Sequence, residues 1–384
     1  MKRKIIYLDN AATTPVYKEV IEEMKKFYSE EYGNPSSLHA LGEKSLEAMN
    51  STREKLAKEI NCKPWEIIFT SGTTESNNIA FFGLARSELG KKRKKIIISA
   101  IEHSSIFSIC NALKKEGFEI KEIPVDKEGI ADTNKLNNEV DDNTLLVSIM
   151  HVNNEIGVIQ DIEKIGKLCK EKGVLFHSDC AQSFGKLNID VKKMNIDSLS
   201  AGAHKIGGPK GIGILYICDS LVISPLIYGG GQERGLRGGT ENVPAIIGFA
   251  VALDIAKKID KNKVRKLRDY FISSLEKLGG RINGTREKRI FNNVNVSFHG
   301  IDADSLVIFL SERGIMCSSG SACESKKQKE SKVLKAIGLN EKERRASVRF
   351  SLNENITKKE IYYVVSEVKK IIDRLRIQRT DLIV

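Results

Sequence analysis

V-L-F-H-S-D, Val174 to Asp179, is an apolar run that closes on a carboxylate. An unbroken apolar run of this length suits a strand buried on both faces of a parallel sheet, and such strands present ligand-facing residues at their carboxyl ends. Asp179 also has a purely structural reading, as N-cap of the segment after it. Lys205 follows 26 residues later, inside S-A-G-A-H-K-I-G-G-P-K-G-I-G, Ser200 to Gly213. A strand-like run up to Leu199 feeds it, and Gly207, Gly208 and Pro209 come directly after. Glycines admit positive φ and proline fixes the exit, so the lysine is held at a turn and not on a solvated helix face. A lysine so placed can contact a phosphate, act as a Schiff-base nucleophile, or be a surface charge.

Outward from this pair the chain keeps one texture. Ile67–Thr70, Ile96–Ser99, Ile120–Val125, Leu145–His151, Ser198–Ala201 and Ile212–Ile217 read as further strands, most of them linked by stretches long enough for a helix. Helices are also predicted over Lys18–Tyr28 and Leu41–Ile60. Seven strands with helical crossovers predict an α/β fold, its sheet mostly parallel and covered on both faces. Near Ala250 the texture changes to one long helical stretch reaching Lys277. A strand at Asn293–Ser297, a helix over Ser305–Glu312 and a strand at Gly314–Cys317 follow. Thr357 and Glu360 form a capping box for a last helix whose apolar residues, among them Ile361, Val364, Val368 and Ile372, share one face. The expected organisation is a large domain over 15–257 and a smaller α+β domain made of 1–14 and 258–384.

The 384 residues are 41% hydrophobic and 29% charged, with a net charge of +12. That is ample for a full core. No apolar run is long enough to cross a bilayer, and Asp9 and Asn10 end the first one too early for a signal peptide. A soluble, cytoplasmic protein with no membrane association is expected. Seven scattered cysteines form no C-x-x-C, which argues against a disulfide framework and against a structural zinc site, so no metal is expected. The basic run Lys91 to Lys95 reads as a solvated loop. No aromatic interleaving accompanies it, and no direct nucleic-acid contact is expected.

Five further motifs carry chemistry. In F-T-S-G-T-T-E, Phe69 to Glu75, a strand passes into a helix through hydroxyl residues and one glycine, where free N–H groups suit a phosphate. His103, in I-E-H-S-S, and Asn154, in H-V-N-N-E-I-G, lie just beyond strand ends. In G-I-M-C-S-S-G-S-A-C, Gly314 to Cys323, the last cysteine sits in a Ser/Gly-rich loop followed by Lys326, Lys327 and Lys329, which favour its thiolate. Cys323 is the predicted reactive thiol, and Cys317 is expected to be packed. Arg349, mid-strand in S-V-R-F-S-L, is placed to bind a carboxylate or to form a structural ion pair. The Lys205–Asp179 pair supplies what pyridoxal phosphate requires: an amine to hold it, and a carboxylate that keeps its ring nitrogen protonated. G-x-x-x-x-G-K-[ST] is absent, so an NTPase loop is not supported.

Over Tyr7 to about Ile377 the sequence resembles the cysteine desulfurases, fold-type I pyridoxal-phosphate enzymes of the class V aminotransferase superfamily. The resemblance rests on Y-L-D-N-A-A-T-T-P, G-N-P-S-S, F-T-S-G-T-T-E-S-N-N, H-V-N-N-E-I-G-V-I-Q, A-H-K, G-G-G-Q-E-R-G-L-R-G-G-T, S-S-G-S-A-C and V-R-F-S. It implies that Lys205 holds the cofactor and shuttles the Cα proton, and that Asp179 pairs with the ring nitrogen. Gln182 would bond the ring hydroxyl, while His103 would stack on the ring and relay protons. Thr73, Thr74 and His204 would hold the phosphate, and Thr240 would reach the phosphate site of a neighbouring subunit in a homodimer. Arg349 and Asn154 would fix the carboxylate of L-cysteine. Cys323 would take the sulfur as a persulfide, releasing L-alanine. The S-S-G-S-A-C loop resembles the subgroup that supplies sulfur-acceptor proteins such as an iron–sulfur scaffold or a tRNA-thiolating enzyme.

Two departures stand out. Gly202 occupies the place where the family has a phosphate-bonding serine, and E-S-K-K-Q-K-E follows Cys323 where small or apolar residues are usual. No extended scaffold-docking tail is expected beyond the last helix. An ordinary aminotransferase of the same fold would need Lys205 and Asp179 but not Cys323. A selenocysteine lyase would differ in substrate preference, and a non-catalytic scaffold would need none of these residues.

Overall fold

The structure is a computed structural model that describes residues 5–319 and 331–380. Its centre is a seven-stranded sheet in the order Ile67–Thr70, Gly213–Ile217, Ser198–Gly202, Leu175–Asp179, Thr144–Ser148, Lys95–Ser99 and Glu119–Ile123. Only Gly213–Ile217 runs against its two neighbours, and the other pairings are parallel. Alternate side chains feed two cores. Ile67, Phe69, Ile97, Val147, Phe176, Leu199 and Ile214 face one cluster, while Ile68, Ile96, Ile98, Leu146 and Leu215 face the other. This two-sided burial is why most of the inner strands read as largely apolar runs, while the edge strand Glu119–Ile123 keeps exposed charges.

The helix Thr73–Ala85 buries Ile79, Ala80, Phe81, Leu84 and Ala85 on the second core. Helices Ala40–Glu59 and Val243–Lys257 cover the first. A smaller sheet, in the order Ser318–Ser319, Ser347–Ser351, Asn293–Phe298 and Gly280–Ile282, is antiparallel throughout. It packs on helices Lys261–Glu276, Ala303–Glu312 and Lys358–Thr380 through Phe271, Leu306, Phe350, Val364 and Val368. The N-terminal segment belongs to this second unit. Ile6–Tyr7 pairs in parallel with Ile315–Met316, and Ser351 N donates to Leu8 O.

Two details differ from the sequence expectation. The stretch Ala250–Lys277 is not one helix but the end of Val243–Lys257 followed by Lys261–Glu276. Asp260 makes the break, because its side chain accepts from Lys263 N and starts a new helix. The basic run Lys91–Lys95 is not simply a solvated loop. Lys91 and Lys92 end a short helix, whereas Lys95 opens a central strand, buried and paired with Asp141 at 2.6 Å. Among the described residues no helix is long and apolar enough to cross a membrane.

Candidate active site

The parallel strands deliver their carboxyl ends to one side of the sheet, as open α/β sheets do. There a cleft of about 510 Å³ is lined by Thr73, Thr74, His103, Asn154, Asp179, Gln182, His204 and Lys205, with Met150 and Lys210 beside them. These residues come from five separate segments of the chain.

Lys205 leaves its strand through one tight turn, Ala203–Lys205. That turn is clasped by the N-terminal segment. Thr14 donates to His204 O from both its amide and its hydroxyl, each at 2.9 Å. Gly207 N donates to Thr14 Oγ1 at 2.8 Å, and Tyr17 N donates to Gly207 O at 3.0 Å. Gly207 has φ +81°, and a Cβ there would fall 1.8 Å from the Tyr17 ring. Both facts require glycine.

Asp179 closes its strand with its side chain buried and oriented. Oδ2 accepts from Asn77 Nδ2 at 2.9 Å, and Oδ1 accepts from Ala181 N at 2.9 Å. Asn77 in turn meets His177 Nε2 through its Oδ1 at 3.1 Å. Asn77 was not singled out from the sequence. The only signal was its place in S-G-T-T-E-S-N-N, one turn after Thr73 on the same helix. Gln182 is anchored by its amide on Ala11 O at 2.8 Å.

His103 caps the helix Ser104–Lys115, its Nδ1 accepting from Ser105 N at 3.2 Å. An accepting Nδ1 puts the proton of the neutral ring on Nε2. Burial lowers its pKa, the charge of Lys205 lowers it further, and Asp179 opposes both. His204 is pulled down to about 4, first by burial and then by Lys205, Lys210 and Lys186, so it is neutral at pH 7.

The helix Thr73–Ala85 points its N-terminus at the cleft, with Gly72 as a cap that lends no side chain. Thr73 Oγ1 is buried without a hydrogen-bond partner. A Cβ placed on Gly202 would sit 2.9 Å from that same Oγ1. The threonine hydroxyl therefore fills the space that a side chain at 202 would need. Helix-terminal amides, an unsatisfied hydroxyl, a buried carboxylate and a lysine around one cleft fit pyridoxal phosphate. Its phosphate would meet the amides and hydroxyls, and its ring nitrogen would meet Asp179.

Arg349 does not line this cleft but lies beside it. Nη1 donates to Asn154 O at 3.0 Å, and Nη2 pairs with Asp9 Oδ1 at 2.7 Å. Asp9 was not identified as its partner from the sequence, since the two lie 340 residues apart. Thr240 is exposed and lines a separate hollow of about 200 Å³ with Ser71, Arg237 and Glu241. Cys323, with Lys326, Lys327 and Lys329, lies outside the described residues. Ser318 and Ser331 stand on either side of that segment. Ser318 pairs across from Arg349, and Ser331 Oγ donates to Glu155 at 2.5 Å, next to Asn154. Cys317 packs against the second unit, where burial pushes its thiol pKa up.

Glu102, also unremarked in the sequence, is buried next to His103. Its Oε1 accepts from Met150 N at 2.7 Å and Ser99 Oγ at 2.8 Å, while Oε2 has no partner. Burial, reinforced by the charge of Asp179, raises its pKa to about 8. The folded state thus holds a proton that the unfolded carboxylate releases above about pH 4.3. Stability falls as pH rises through this window, by up to about 1.4 kcal/mol per pH unit. Glu102→Gln, which cannot ionise, is expected to match the native chain near pH 5 and exceed its stability at pH 8.5. Urea unfolding at both pH values checks this, and an equal difference at the two would contradict it.

The chain matches the Aminotransferase class-V family over residues 6–364. It is 45% identical over 381 residues to the cysteine desulfurase IscS of Dictyoglomus turgidum, covering 98% of this chain and 96% of that one. To the cysteine desulfurase IscS of Methanosarcina thermophila it is 44% identical, covering 98% and 94%. Among solved structures, a NifS-like protein superimposes with a TM-score of 0.91 at 39% identity, covering 96% of this chain and 99% of that one. SspA in complex with cysteine gives a TM-score of 0.82 at 40% identity, covering 90% and 98%. Similarity of this extent, on a sheet that gathers a lysine, an aspartate and two histidines into one cleft, has one consequence: the chain belongs to the class-V aminotransferases and, among them, to the cysteine desulfurases.

Proposed function

We propose that the protein converts L-cysteine to L-alanine with pyridoxal phosphate, holds the sulfur as a persulfide on Cys323, and passes it to acceptors for iron–sulfur cluster assembly or tRNA thiolation. The observation that carries this reading is the convergence of Lys205, Asp179, His103, Gln182, Thr73, Thr74 and His204 on one cleft. Cysteine is the ligand of SspA, a structural relative at 40% identity.

In this reading Lys205 holds the cofactor and, as a free amine, moves the Cα proton. When bound, the cofactor supplies an electron sink for the substrate's Cα. Asp179 would face the ring nitrogen, its two carboxylate oxygens oriented by Asn77 and the Ala181 amide. His103 would stack on the ring, with the proton of its neutral imidazole on Nε2. Thr73, Thr74 and His204 take the phosphate, and Gln182 takes the ring hydroxyl. Arg349 and Asn154 orient the substrate carboxylate. The Cys323 thiolate attacks the substrate sulfur, so that an S–S bond forms as the C–S bond breaks. The pair from the broken C–S bond stays with the carbon skeleton, which would be protonated at Cβ and Cα and leave as L-alanine.

We further propose a cytoplasmic homodimer in which Thr240, exposed on this protomer, serves the phosphate site of the partner. The domain division is proposed at 15–257 against 1–14 with 258–384, supported by the separate core that Ile6, Leu8, Phe271 and Val364 share. The deciding experiment is L-alanine released from L-cysteine, with a thiol reductant present, by the native protein and by Cys323→Ser. Alanine from the native protein and almost none from the variant is the expected result. Equal release from both would overturn the role of Cys323, and release from neither, with cofactor added, would overturn the activity.

A further inference from the structure

Lys205 faces two spaces. Beside the cleft lies a second cavity of about 200 Å³, whose lining includes Val16, Ile259, Phe291 and Leu352 together with Lys186, Lys205, Lys261 and Glu354. Lys205 lines both cavities. Lys186 arrives there from the turn after Asp179, in which Lys186 N donates to Ser183 O. Its residue is only 8% exposed. Among the described residues its ammonium has no hydrogen-bond or ion-pair partner. The carboxylate in the wall, Glu354, already accepts from Tyr17 OH at 2.9 Å and Asn355 Nδ2 at 3.3 Å.

A buried ammonium with no counter-charge is costly, and it either gives up its proton or finds an anion. Here burial, with the charge of Lys205 adding to it, draws Lys186 down to about 7. Lys261, on the rim, is lowered by burial as well. Apart from Lys205, which holds the cofactor in the proposed function, the wall carries Lys186 and Lys261 against the single carboxylate of Glu354, and apolar side chains complete the lining. Such a pocket suits a short carbon skeleton bearing one negative charge.

We propose that this cavity binds a small monocarboxylate, with Lys186 as its counter-charge, at a site separate from the cleft that takes cofactor and reacting substrate. The ligand is either a free short-chain acid or an amino acid whose ammonium group faces Glu354. The proposal rests on the cofactor reading only in assigning the main cleft to other ligands.

The test uses holoenzyme treated with borohydride, which fixes the cofactor on Lys205 and prevents it from reacting with amino acids. The mass of the adduct checks the cofactor reading by itself. If no adduct forms, that reading fails, and the untreated protein is titrated instead. Propionate and L-alanine are then titrated calorimetrically at pH 7. The expected result is one-to-one binding of at least one of them, weakened tenfold or more in Lys186→Met, with propionate binding tighter at pH 6 than at pH 8. Tighter binding of L-alanine, reduced to the level of propionate by Glu354→Gln, identifies an amino acid as the ligand. Tighter binding of propionate identifies a free acid. Lys186→Met replaces a buried charge by an apolar chain of similar length and is expected to fold, which a thermal melt verifies. Binding of neither compound overturns the proposal, as does binding that Lys186→Met leaves unchanged.

Discussion

Lys205→Ala is expected to lower L-alanine release from L-cysteine by at least about a thousandfold, because in the proposed function one side chain would both carry the cofactor and move the Cα proton. Little else should change. The side chain borders two cavities and is not part of the hydrophobic core, while its turn is held by the backbone bonds of Thr14, Tyr17 and Gly207. The melting temperature of the variant should therefore stay within a few degrees of the native value. Borohydride should no longer attach the cofactor to the chain, which is read by mass. Release within tenfold of the native rate would remove Lys205 from the chemistry. A collapse in stability would mean that the loss of activity says nothing about it.

Arg349→Ala is expected to cost both stability and substrate affinity. Its guanidinium is 3% exposed at the side chain and Asp9 is 20% exposed, so removing the cation strands a partly buried carboxylate. Breaking such a pair costs about 3 kcal/mol, toward the low end of the usual range because Asp9 keeps some solvent. If Arg349 binds the substrate carboxylate as proposed, loss of that charge-assisted bond should also raise KM for L-cysteine by about ten- to a hundredfold. The two roles separate in Asp9→Asn, which loses the ion pair but keeps the arginine. That variant should be destabilised with no rise in KM. If Arg349→Ala unfolds at lower urea but keeps its KM, Arg349 is a structural partner of Asp9 and the carboxylate is held elsewhere.

Much of this architecture was legible because buried strands leave an unmistakable mark. Val174–Asp179 and its neighbours are apolar on both faces, and the seven predicted strands fall within a few residues of the observed ones. The residues that line the cleft were legible for a related reason, since they follow strand ends in short polar motifs. What escaped notice was relational. Asn77 sits in a helix that reads as ordinary, and only the fold sets it against Asp179. Glu102 and Lys186 look like common charged residues until the cores close around them. The merged helix over Ala250–Lys277 failed locally: both segments are apolar-periodic, and one capping aspartate carried the break. Periodicity reports how deeply an element is buried, not what lies across from it.

The clasp between residues 14–17 and the turn at 204–207 bears on how this protein can be handled. The start of the chain is a fastening of the lysine turn, threaded from the smaller sheet across to the larger one. Trimming it to Pro15, or fusing a partner so closely that it tugs on Thr14, would loosen the turn that aims Lys205. The same clasp binds two positions to a common fate. As long as position 17 is an aromatic ring, position 207 has no room for a side chain, so a library that varies one of them should vary both.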